Sequence, residues 1–512
     1  MSKAARENEK GFSSQGGYGG DYDVTVIGAG IIGSWIAREV SKFKVSIALL
    51  DKEPCPGFGV TKSGLSLMHA PDFCPPGTLK GRLCLNAPRR FKNLAHELGV
   101  KFREVDELWL ALESSQIPNL EAAKKRGEEF GATGFQIIGP QKIRELEPNV
   151  TRKAVAALYV QGLGAVYPTE WSFALVENAV QNGARLHLNT SVLDIQRQPD
   201  GRYLVKTSRG LFRTRYLINA AGLFADEVAT MVGDRTIQLI LTKGTMAILD
   251  KSVSHLVRHM IYGTLSAKHS QVIAPTAHGN LILGLGYFTQ PESKSDTRVD
   301  RGKLQEVIEM GKELVPSLSE DDIITSFAGI RSENNKTKKG DFYISHSEHA
   351  PGVIHAIIGS PGLTAAPAVA DMVIGMLVDA GCQMEERPDF QRERRSWKRF
   401  SSSSGEEQEA LIASNSKFGH ITCRCEKVTE AEIVDATHRG AQTLDAVKHL
   451  TRAGMGRCQG GFCGPRVFQL LHKELNIPIN QVTKKGDPSF VVAGPVGVPS
   501  PSDQGVMNSE KG

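Results

Sequence analysis

Residues 21–51 read DYDVTVIGAGIIGSWIAREVSKFKVSIALLD, and this stretch decides the fold of the region around it. The β-branched run from Val24 to Ile27 predicts a buried parallel strand, and it leads directly into the motif Gly-x-Gly-x-x-Gly. Such a motif allows a tight turn at Gly28, close approach of the backbone to a pyrophosphate at Gly30, and close helix packing at Gly33. The stretch therefore begins as a nucleotide-binding βαβ unit.

The second half of the stretch completes this unit. A helix is predicted from Ile31 to Lys42, with its N-terminal amides and the positive end of its dipole directed at the phosphates. A second apolar strand, Val45 to Leu50, ends at Asp51, where an acidic residue can accept hydrogen bonds from ribose hydroxyls. The order of these elements predicts dinucleotide binding. Because the unit comes early in a long chain and no second glycine motif follows, we expect a permanently held FAD.

Length and composition are those of an ordinary globular protein. The chain has 512 residues, 40% hydrophobic and 23% charged, which predicts two to four domains. The net charge of +5 is too small a surplus to indicate nucleic acid binding. The sequence contains no apolar run of about 18 residues, so no transmembrane helix is predicted. The spacing of the eight cysteines does not suggest a secreted disulfide framework, so we expect a reducing compartment. Because we recognise no targeting signal in the sequence, the cytoplasm is the default expectation for localisation.

Hydrophobic periodicity predicts further elements along the chain. Two further buried strands end in small residues. Asn219 to Gly222 brings bare backbone close to another group, which we expect to be the cofactor rather than a neighbouring helix. Two glycines precede a helix at Thr364, whose N-terminus is a second natural site for an anion or a carbonyl group. The chain thus returns to the dinucleotide domain after excursions. Predicted helices are Pro88–Leu98, Glu170–Asn182, Arg301–Leu314 and Thr364–Asp379, and predicted strands are Asp106–Leu112, Leu186–Ile195, Ile237–Leu249, Ile324–Arg331 and Val353–Ile358.

These motifs carry a resemblance to a known family. Gly28 to Gly33, Asn219 to Gly222, Phe327 to Arg331 and Ser360 to Thr364, in this order and spacing, resemble the FAD-dependent oxidoreductases of the D-amino-acid oxidase superfamily over about residues 22 to 385. GAVYPTEWSFALVENAVQNGARLHLNT and KGTMAILD are most similar to the glycerol-3-phosphate dehydrogenase branch, with 2-hydroxyglutarate dehydrogenases nearby.

The resemblance implies roles for individual residues. It implies that Arg331 reaches the anionic group of the substrate, that Lys243 lines the same pocket, and that His69 lies near the flavin ring. It also implies that Val192 holds the adenine through its backbone. The chain departs from the family beside this pocket, with VTKSGLSLMHAPDF before the second domain and the basic stretch SENNKTKKGD after Arg331. The predicted FAD-binding residues are Gly28, Ala29, Gly30, Ile31, Ile32, Gly33, Asp51, Lys52, Thr61, Val192, Ala220, Ala221, Gly222, Gly362, Leu363 and Thr364.

Four cysteines are grouped near the C-terminus as CxC and, after 32 intervening residues, CxxxxC: Cys423, Cys425, Cys458 and Cys463. Four thiolates suit either a [2Fe-2S] cluster or tetrahedral zinc. Thr429 and Glu432 predict a capping box, and glycine-rich turns near the sulfurs would supply amide donors that raise a cluster's potential. CRCEKVTEAEI and GRCQGGFCGPRV resemble the ferredoxin-like domain, similar to bacterioferritin-associated ferredoxin, that anaerobic glycerol-3-phosphate dehydrogenase flavin subunits carry.

The predicted fold is α/β: a discontinuous Rossmann-like FAD-binding domain, an α+β antiparallel-sheet substrate domain, and a small helical [2Fe-2S] domain. FAD-binding parts are expected at about 21–77, 155–235 and 325–385, and substrate-domain parts at about 78–154 and 236–324. We expect a disordered tail at 1–20, a linker at 386–417, the [2Fe-2S] domain at 418–480 and a flexible tail at 481–512.

The leading hypothesis is a dehydrogenase of a small anionic alcohol, most favourably glycerol 3-phosphate. FAD would take a hydride, and His69 would remove the hydroxyl proton or else be a buried structural histidine. Arg331 would clamp a phosphate or carboxylate in fork geometry or else form only a structural ion pair. Electrons would leave through the cluster to a quinone or to an iron-sulfur partner protein. We expect the chain to associate with a membrane only through a partner protein. The alternatives are oxidation of a 2-hydroxy acid, an amino acid or another amine, and a redox-inactive nucleotide-binding protein with structural zinc.

Overall fold

The structure, a computed structural model, describes residues 17–263, 271–284, 289–395 and 397–492. Its contacts divide the chain into two units, Met1–Ser396 and Trp397–Gly512. The predicted tail 1–20 extends too far, because residues 17–20 are part of the first strand; its residues 1–16 lie outside the described part of the chain. Likewise, residues 493–512 of the second predicted tail lie outside the described residues.

The predicted linker 386–417 is structured on both sides of the division. On the first side, the Arg387 amide donates to the Lys42 carbonyl at 2.7 Å, and Arg394 pairs with Glu177 at 2.9 Å. On the second side, residues Gly405–Ser414 form a helix with its own capping box. The charge and serine content of this stretch therefore mark a boundary between units rather than a free connector.

Twenty strands are numbered in chain order. They are β1 Gly17–Ile27, β2 Ile47–Leu50, β3 Phe102–Glu104, β4 Glu107–Ala111, β5 Phe135–Ile138, β6 Ala156–Val160, β7 Gly164–Val166, β8 Arg185–His187, β9 Val192–Arg197, β10 Tyr203–Thr207, β11 Gly210–Asn219, β12 Leu239–Leu249, β13 Met260–Tyr262, β14 Val272–Pro275, β15 Leu281–Gly284, β16 Ile323–Asn334, β17 Tyr343–His346, β18 Val353–Ile357, β19 Ile421–Cys423 and β20 Val428–Thr429.

The α-helices of the described residues are numbered in the same way. They are α1 Ile31–Val40, α2 Leu79–Cys84, α3 Ala87–Leu98, α4 Ile117–Glu129, α5 Pro140–Leu146, α6 Pro168–Gln181, α7 Ala225–Met231, α8 Arg301–Leu314, α9 Gly362–Asp379, α10 Gly405–Ser414, α11 Glu430–His438, α12 Leu444–Thr451 and α13 Gly464–Leu475.

The first sheet has the strand order β17-β18-β11-β1-β2-β8, and the strands from β18 to β8 run parallel. The strands β9 and β10 extend this sheet from β11 as an antiparallel ribbon. Helices α1, α6 and α9 share one apolar core with it, in which Trp35 stacks on Trp171 with ring centres 6.3 Å apart. Because these strands come from three separated segments of the chain, the predicted discontinuous Rossmann-like fold is confirmed.

The second sheet has the order β16-β12-β15-β14-β13-β4-β6-β5 and is antiparallel except for the pair β13 and β4. Helix α8 packs on one face, where a side chain on Gly311 would lie 2.7 Å from Leu283. The opposite face is turned towards the segment 63–69, since a side chain on Gly329 would lie 2.4 Å from the Ser63 carbonyl. This sheet is the predicted antiparallel α+β region.

Two details differ from the sequence interpretation or add to it. The predicted strand Leu186–Ile195 is two strands, β8 and β9, because Asn189 adopts a left-handed conformation with φ of 52° and breaks the run. Helix α9 is long and apolar enough by composition to cross a membrane. In the structure half of it is buried in the core of the first unit, as expected for a core helix.

Candidate functional site

The glycine-rich turn between β1 and α1 has no room for side chains. Gly28 has φ of +106°, and a Cβ there would lie 2.4 Å from the Ala220 carbonyl oxygen. A Cβ on Gly33 would lie 1.8 Å from the Gly28 carbonyl oxygen. The backbone of this turn is therefore bare at the N-terminus of α1, which is the geometry that a pyrophosphate requires.

Asp51, at the end of β2, is bound to this turn. Its Oδ2 accepts a hydrogen bond from the Ala29 amide at 2.6 Å, and its Oδ1 accepts one from the Glu53 amide at 2.9 Å. Burial raises the pKa of Asp51 to about 6. Each carboxylate oxygen has a second acceptor position, so the predicted bonds to ribose hydroxyls fit beside these two. The sequence predicted the ribose role but not the tie to the glycine turn.

Of three other predicted FAD-binding residues, one lies at this turn. Thr61 Oγ1 accepts a hydrogen bond from the Ile31 amide at 3.0 Å, so it lies at the N-terminus of α1. The Lys52 amino group lies 3.4 Å from the ring centre of Phe224, a cation–π contact. Val192 is the first residue of β9.

The small-residue segments that follow β11 and β18 complete the wall of the site. The Ala220 amide donates to the Ile27 carbonyl at 3.0 Å, which places 220–222 beside the glycine turn. At the start of α9, Thr364 Oγ1 accepts a hydrogen bond from the His69 amide at 3.1 Å. The structure therefore joins the segment that carries His69 to the predicted FAD-binding residues 362–364.

His69 lies in an aromatic environment. Its ring centre is 5.0 Å from that of Phe73, and its Nδ1 is 3.5 Å from Tyr262 Oη. Burial lowers the pKa of His69 to about 4. The imidazole is thus neutral near pH 7 and able to accept a proton, but the near-neutral pKa from which its role was predicted does not hold at this position.

Two buried carboxyl groups lie behind His69, and the sequence interpretation missed both. Asp72 and Glu107 are 0% and 1% exposed. Glu107 Oε1 accepts a hydrogen bond from Trp109 Nε1, while both oxygens of Asp72 lack a partner that meets hydrogen-bond geometry among the described residues. Burial raises the pKa of Asp72 to about 7, and burial together with the Asp72 charge raises the pKa of Glu107. Both groups also raise the pKa of Tyr262, which burial has already raised.

Arg331 shares a sheet face with Tyr262. Residues directly opposite each other on paired strands point to the same face, and so do residues four apart on one strand. The register connects Tyr262 through β14, β15 and β12 to Phe327 on β16, and Arg331 lies four residues further on. Arg331 Nη2 lies 3.3 Å from Glu333 Oε1, and its side chain is partly exposed. The predicted anion-binding residue and the predicted base are thus on the same side of the second sheet.

Lys243 is on the other side. It lies opposite Ile330, whereas Arg331 lies opposite Thr242, so strand alternation directs Lys243 and Arg331 to opposite faces. Lys243 Nζ is 2.8 Å from Asp296 Oδ2. Hydrogen bonds from Arg298 and Lys243 hold the pKa of Asp296 well below its usual range. The expectation that Lys243 lines one pocket with Arg331 is therefore corrected: the strand register separates them.

The four C-terminal cysteines form two pairs. Cys425 Sγ lies 3.9 Å from Cys458 Sγ, and the Cys423 thiol interacts with that of Cys463. Two sulfurs on one tetrahedral metal with bonds of about 2.3 Å lie about 3.8 Å apart, so the first pair has the spacing of two ligands to one metal. Among the described residues, no three His, Cys, Asp or Glu side chains converge on the position of a single metal ion. Two pairs of sulfurs suit a cluster in which each iron takes two thiolates.

Backbone amides point at these sulfurs, as predicted from the glycine-rich turns. Amides of Phe462 and Gly460 lower the pKa of Cys458. The Cys463 thiol, followed by amides of Gly454 and Glu426, lowers the pKa of Cys423. Amides stabilise negative charge on sulfur, so this donor set fits an anionic iron-sulfur group. The capping box of Thr429 and Glu432 that orients α11 is confirmed.

Comparison with known proteins identifies both units. Residues 23–376 match the family described as FAD dependent oxidoreductase, and residues 421–473 match the BFD-like [2Fe-2S] binding domain. A glycerol 3-phosphate dehydrogenase of Caloramator mitchellensis is 37% identical over 478 residues, which cover 93% of this chain and 98% of that protein.

Two further relatives are more distant. Anaerobic glycerol-3-phosphate dehydrogenase subunit A1 of Haloferax volcanii is 25% identical and covers 88% of this chain and 83% of that protein. A solved structure, dithionite-reduced L-alpha-glycerophosphate oxidase from Mycoplasma pneumoniae with FAD bound, superposes with a TM-score of 0.69 at 25% identity. That likeness covers 74% of this chain and 100% of the oxidase.

Proposed function

This chain belongs to the FAD dependent oxidoreductase family and carries a BFD-like [2Fe-2S] domain, and on that premise we propose that it oxidises glycerol 3-phosphate to dihydroxyacetone phosphate. The observation that carries the proposal is the similarity to the Caloramator mitchellensis dehydrogenase, which extends through both units and 93% of the chain. FAD, when bound, supplies a two-electron acceptor for the hydride of the carbon that bears the hydroxyl group.

Two side chains act on the substrate in this proposal. His69 accepts the proton of the substrate hydroxyl at its imidazole, which its lowered pKa keeps neutral near pH 7. Arg331 binds the phosphate through its guanidinium fork. Support comes from the shared sheet face of Arg331 and Tyr262 and from the contact of Tyr262 with His69. Lys243 has no part in the proposed site, because it pairs with Asp296 on the opposite face.

FAD lies, in this proposal, along the bare glycine turn. Residues 28–33 bind its pyrophosphate with Thr61, Asp51 binds its ribose, and Lys52 and Val192 flank the adenosine. Residues 220–222 and 362–364 then form the wall towards the flavin ring. The lack of space for a side chain at Gly28 and Gly33 supports this arrangement, because the tight turn and the close packing of the helix are the roles that the first and third glycines have in a dinucleotide-binding turn.

The four cysteines would hold a [2Fe-2S] cluster, which would supply one-electron transfer to an external acceptor, either a quinone or an iron-sulfur protein. Attachment to a membrane, in this proposal, occurs only through such a partner. The proposed compartment is a reducing one such as the cytoplasm, because the spacing of the eight cysteines does not suggest a secreted disulfide framework. In this proposal the first unit divides at about 21–77, 155–235 and 325–385 for FAD and at about 78–154 and 236–324 for substrate. Two strands inside the FAD ranges are exceptions: β6 and β16 belong to the second sheet and therefore to the substrate region.

The direct test is anaerobic stopped-flow measurement of flavin absorbance in the holoenzyme. Glycerol 3-phosphate at millimolar concentration should bleach the flavin, whereas glycerol, which lacks the phosphate, should not. L-2-Hydroxyglutarate and an amino acid serve as the competing substrate classes. Bleaching by either of these, without bleaching by glycerol 3-phosphate, would replace the proposed substrate.

A variant pair tests the anion clamp. Arg331→Lys keeps the charge but loses the fork, so kcat/KM for glycerol 3-phosphate should fall about 100-fold, in line with about 3 kcal/mol for a charged hydrogen-bonded pair. Arg298→Lys, on the opposite side of the sheet beside Asp296, is the matched control and should change kcat/KM less than about twofold.

A further inference from the structure

The two cysteine pairs differ from each other in exposure to solvent. Cys425 and Cys458 are exposed, whereas Cys423 and Cys463 are buried. A metal group held by the four sulfurs therefore has one side covered by protein and one side near the surface, between Cys425 and Cys458. Because the probability of electron transfer falls steeply with distance, this second side is where an electron leaves the unit most readily.

A large apolar side chain stands beside this exposed side. Phe462 is 58% exposed and lies immediately before Cys463 in the chain. The Arg424 guanidinium lies 4.4 Å from the centre of the Phe462 ring, which holds the ring in place by a cation–π contact. Exposed aromatic and arginine side chains are the residue types enriched at the centres of protein interfaces.

The segments that carry the cysteines, 421–429 and 454–466, have an unbalanced surface charge. Their one acidic residue, Glu426, is buried and accepts a hydrogen bond from Arg452 Nε at 2.7 Å. Arg466 is compensated by Glu430, with 2.8 Å between Nη2 and Oε2. The basic residues of the two segments are all exposed: Arg424, Lys427, Arg457 and Arg466.

From these observations we propose that Phe462, Arg424 and Lys427, around the exposed Cys425 and Cys458, form a docking face for a small acidic one-electron carrier protein. In the complex the carrier gains one electron and the chain loses one, and no proton has to cross the interface. The positive face attracts an acidic partner from a distance and orients it, and Phe462 provides the desolvated contact at the centre. This inference rests on the proposed function only in taking the cluster as the exit for electrons.

Binding can be measured without any substrate. The probe is a plant-type [2Fe-2S] ferredoxin, an acidic carrier protein, and the comparison probe is the basic carrier cytochrome c. The holoenzyme should bind the ferredoxin at least tenfold more tightly than cytochrome c. Raising the salt concentration from about 20 mM to about 300 mM should weaken ferredoxin binding by about tenfold, because the Debye length then falls below the spacing of the charges.

Variants localise the binding to the docking face. The double charge reversal of Arg424→Glu with Lys427→Glu, and separately Phe462→Ala, should each weaken ferredoxin binding about tenfold. Lys473→Glu is the matched control, because Lys473 is exposed near the far end of α13, roughly 15 Å from Cys463 along the helix. This control should leave the affinity unchanged within about twofold. If the reversal pair disturbs the cluster absorption, Arg424→Gln with Lys427→Gln repeats the test.

Several results would overturn the docking face. They are an equal affinity for ferredoxin in the wild type and the docking-face variants, an equal loss of affinity in the Lys473→Glu control, and tighter binding of cytochrome c than of ferredoxin.

Tight binding to anionic phosphatidylserine vesicles with no binding to ferredoxin would assign the docking face to a membrane instead. Slower substrate-driven cluster reduction in Phe462→Ala, with unchanged ferredoxin binding, would assign it to electron uptake within the chain. Failure of glycerol 3-phosphate to bleach the flavin would refute the proposed function alone, since binding is measured without substrate.

Discussion

The two units treat their reactive side chains in opposite ways. Beside the proposed hydride site, Asp72 and Glu107 are buried and His69 is half-buried, and burial moves the pKa of each away from its usual range. In the C-terminal unit, two of the four grouped cysteines, Cys425 and Cys458, are exposed. Transfer of a hydride and a proton benefits from exclusion of water, whereas release of single electrons requires that a partner can approach. The contrast indicates that the two steps are separable by mutation.

The largest effect is expected from Gly33→Ala. The added Cβ would lie 1.8 Å from the Gly28 carbonyl oxygen, so the glycine turn must shift, which we expect to cost about 3 kcal/mol of stability and to abolish FAD retention. The cluster absorption of the other unit should persist. The measurements are the ratio of FAD to protein and the thermal unfolding of each unit, followed by the absorbance of its own cofactor. Gly375→Ala in α9 is the control, because a Cβ there meets no atom within 4 Å, and it should keep its FAD.

The reverse separation is expected from Cys425→Ser. A serine oxygen is a poor ligand for iron, so the cluster absorption should be lost and turnover with an external acceptor should fall by more than about 100-fold. Flavin bleaching by substrate should stay within about twofold of wild type. Cys382→Ser, a buried cysteine of the first unit, should keep the cluster. A strong loss of flavin bleaching in Cys425→Ser would show that the units are not separable.

An effect on stability alone is expected from Asp72→Asn, and it depends on pH. The carboxyl pKa is about 7 in the folded chain and about 3.9 when unfolded, so the folded form binds its proton more tightly. Wild-type stability should therefore fall as pH rises from about 4 to about 7, by at most about 4 kcal/mol, and Asp72→Asn should lack this loss. Urea unfolding at several pH values measures it, with exposed Asp379→Asn as control. Parallel pH profiles for wild type and Asp72→Asn would mean that Asp72 is ionised in the folded chain.

The smallest effect concerns the pH dependence of flavin reduction. With the pKa of His69 at about 4, the base stays neutral down to about pH 5, so the rate of flavin bleaching should be level between pH 5 and pH 8. A base with an ordinary histidine pKa near 6.5 would lose about tenfold in rate per pH unit below that value. A profile of the second kind would mean that burial does not lower the pKa of His69, and it would weaken the contrast between the units.

Local patterns predicted the parts of the molecule whose geometry is local. The glycine turn, the bounds Arg301–Leu314 of α8, and the capping box at Thr429 all follow from spacings within one element. The cysteine spacing likewise predicted the iron-sulfur domain, because the ligands lie on short turns beside helix ends.

Features that depend on the pairing of distant strands were not predictable in this way. Lys243 lies opposite Ile330 and not opposite Arg331, and this difference of one residue in the pairing of β12 with β16 directs the two side chains to opposite faces. The burial of Asp72 and Glu107 arises where a turn after His69 meets the second sheet, and neither residue lies in a recognisable motif. The one available signal was Glu107 itself, an acid within the otherwise apolar strand ELWLA.

The tie between Asp51 and the Ala29 amide has a practical consequence. Because a side chain of the protein itself holds the glycine turn in shape, the pocket does not depend on its occupant for its form. A chain stripped of its flavin should regain it by simple docking, without a slow refolding phase. Substitution of the natural flavin by a deaza or fluorescent analogue is therefore a realistic route to isolating the hydride step.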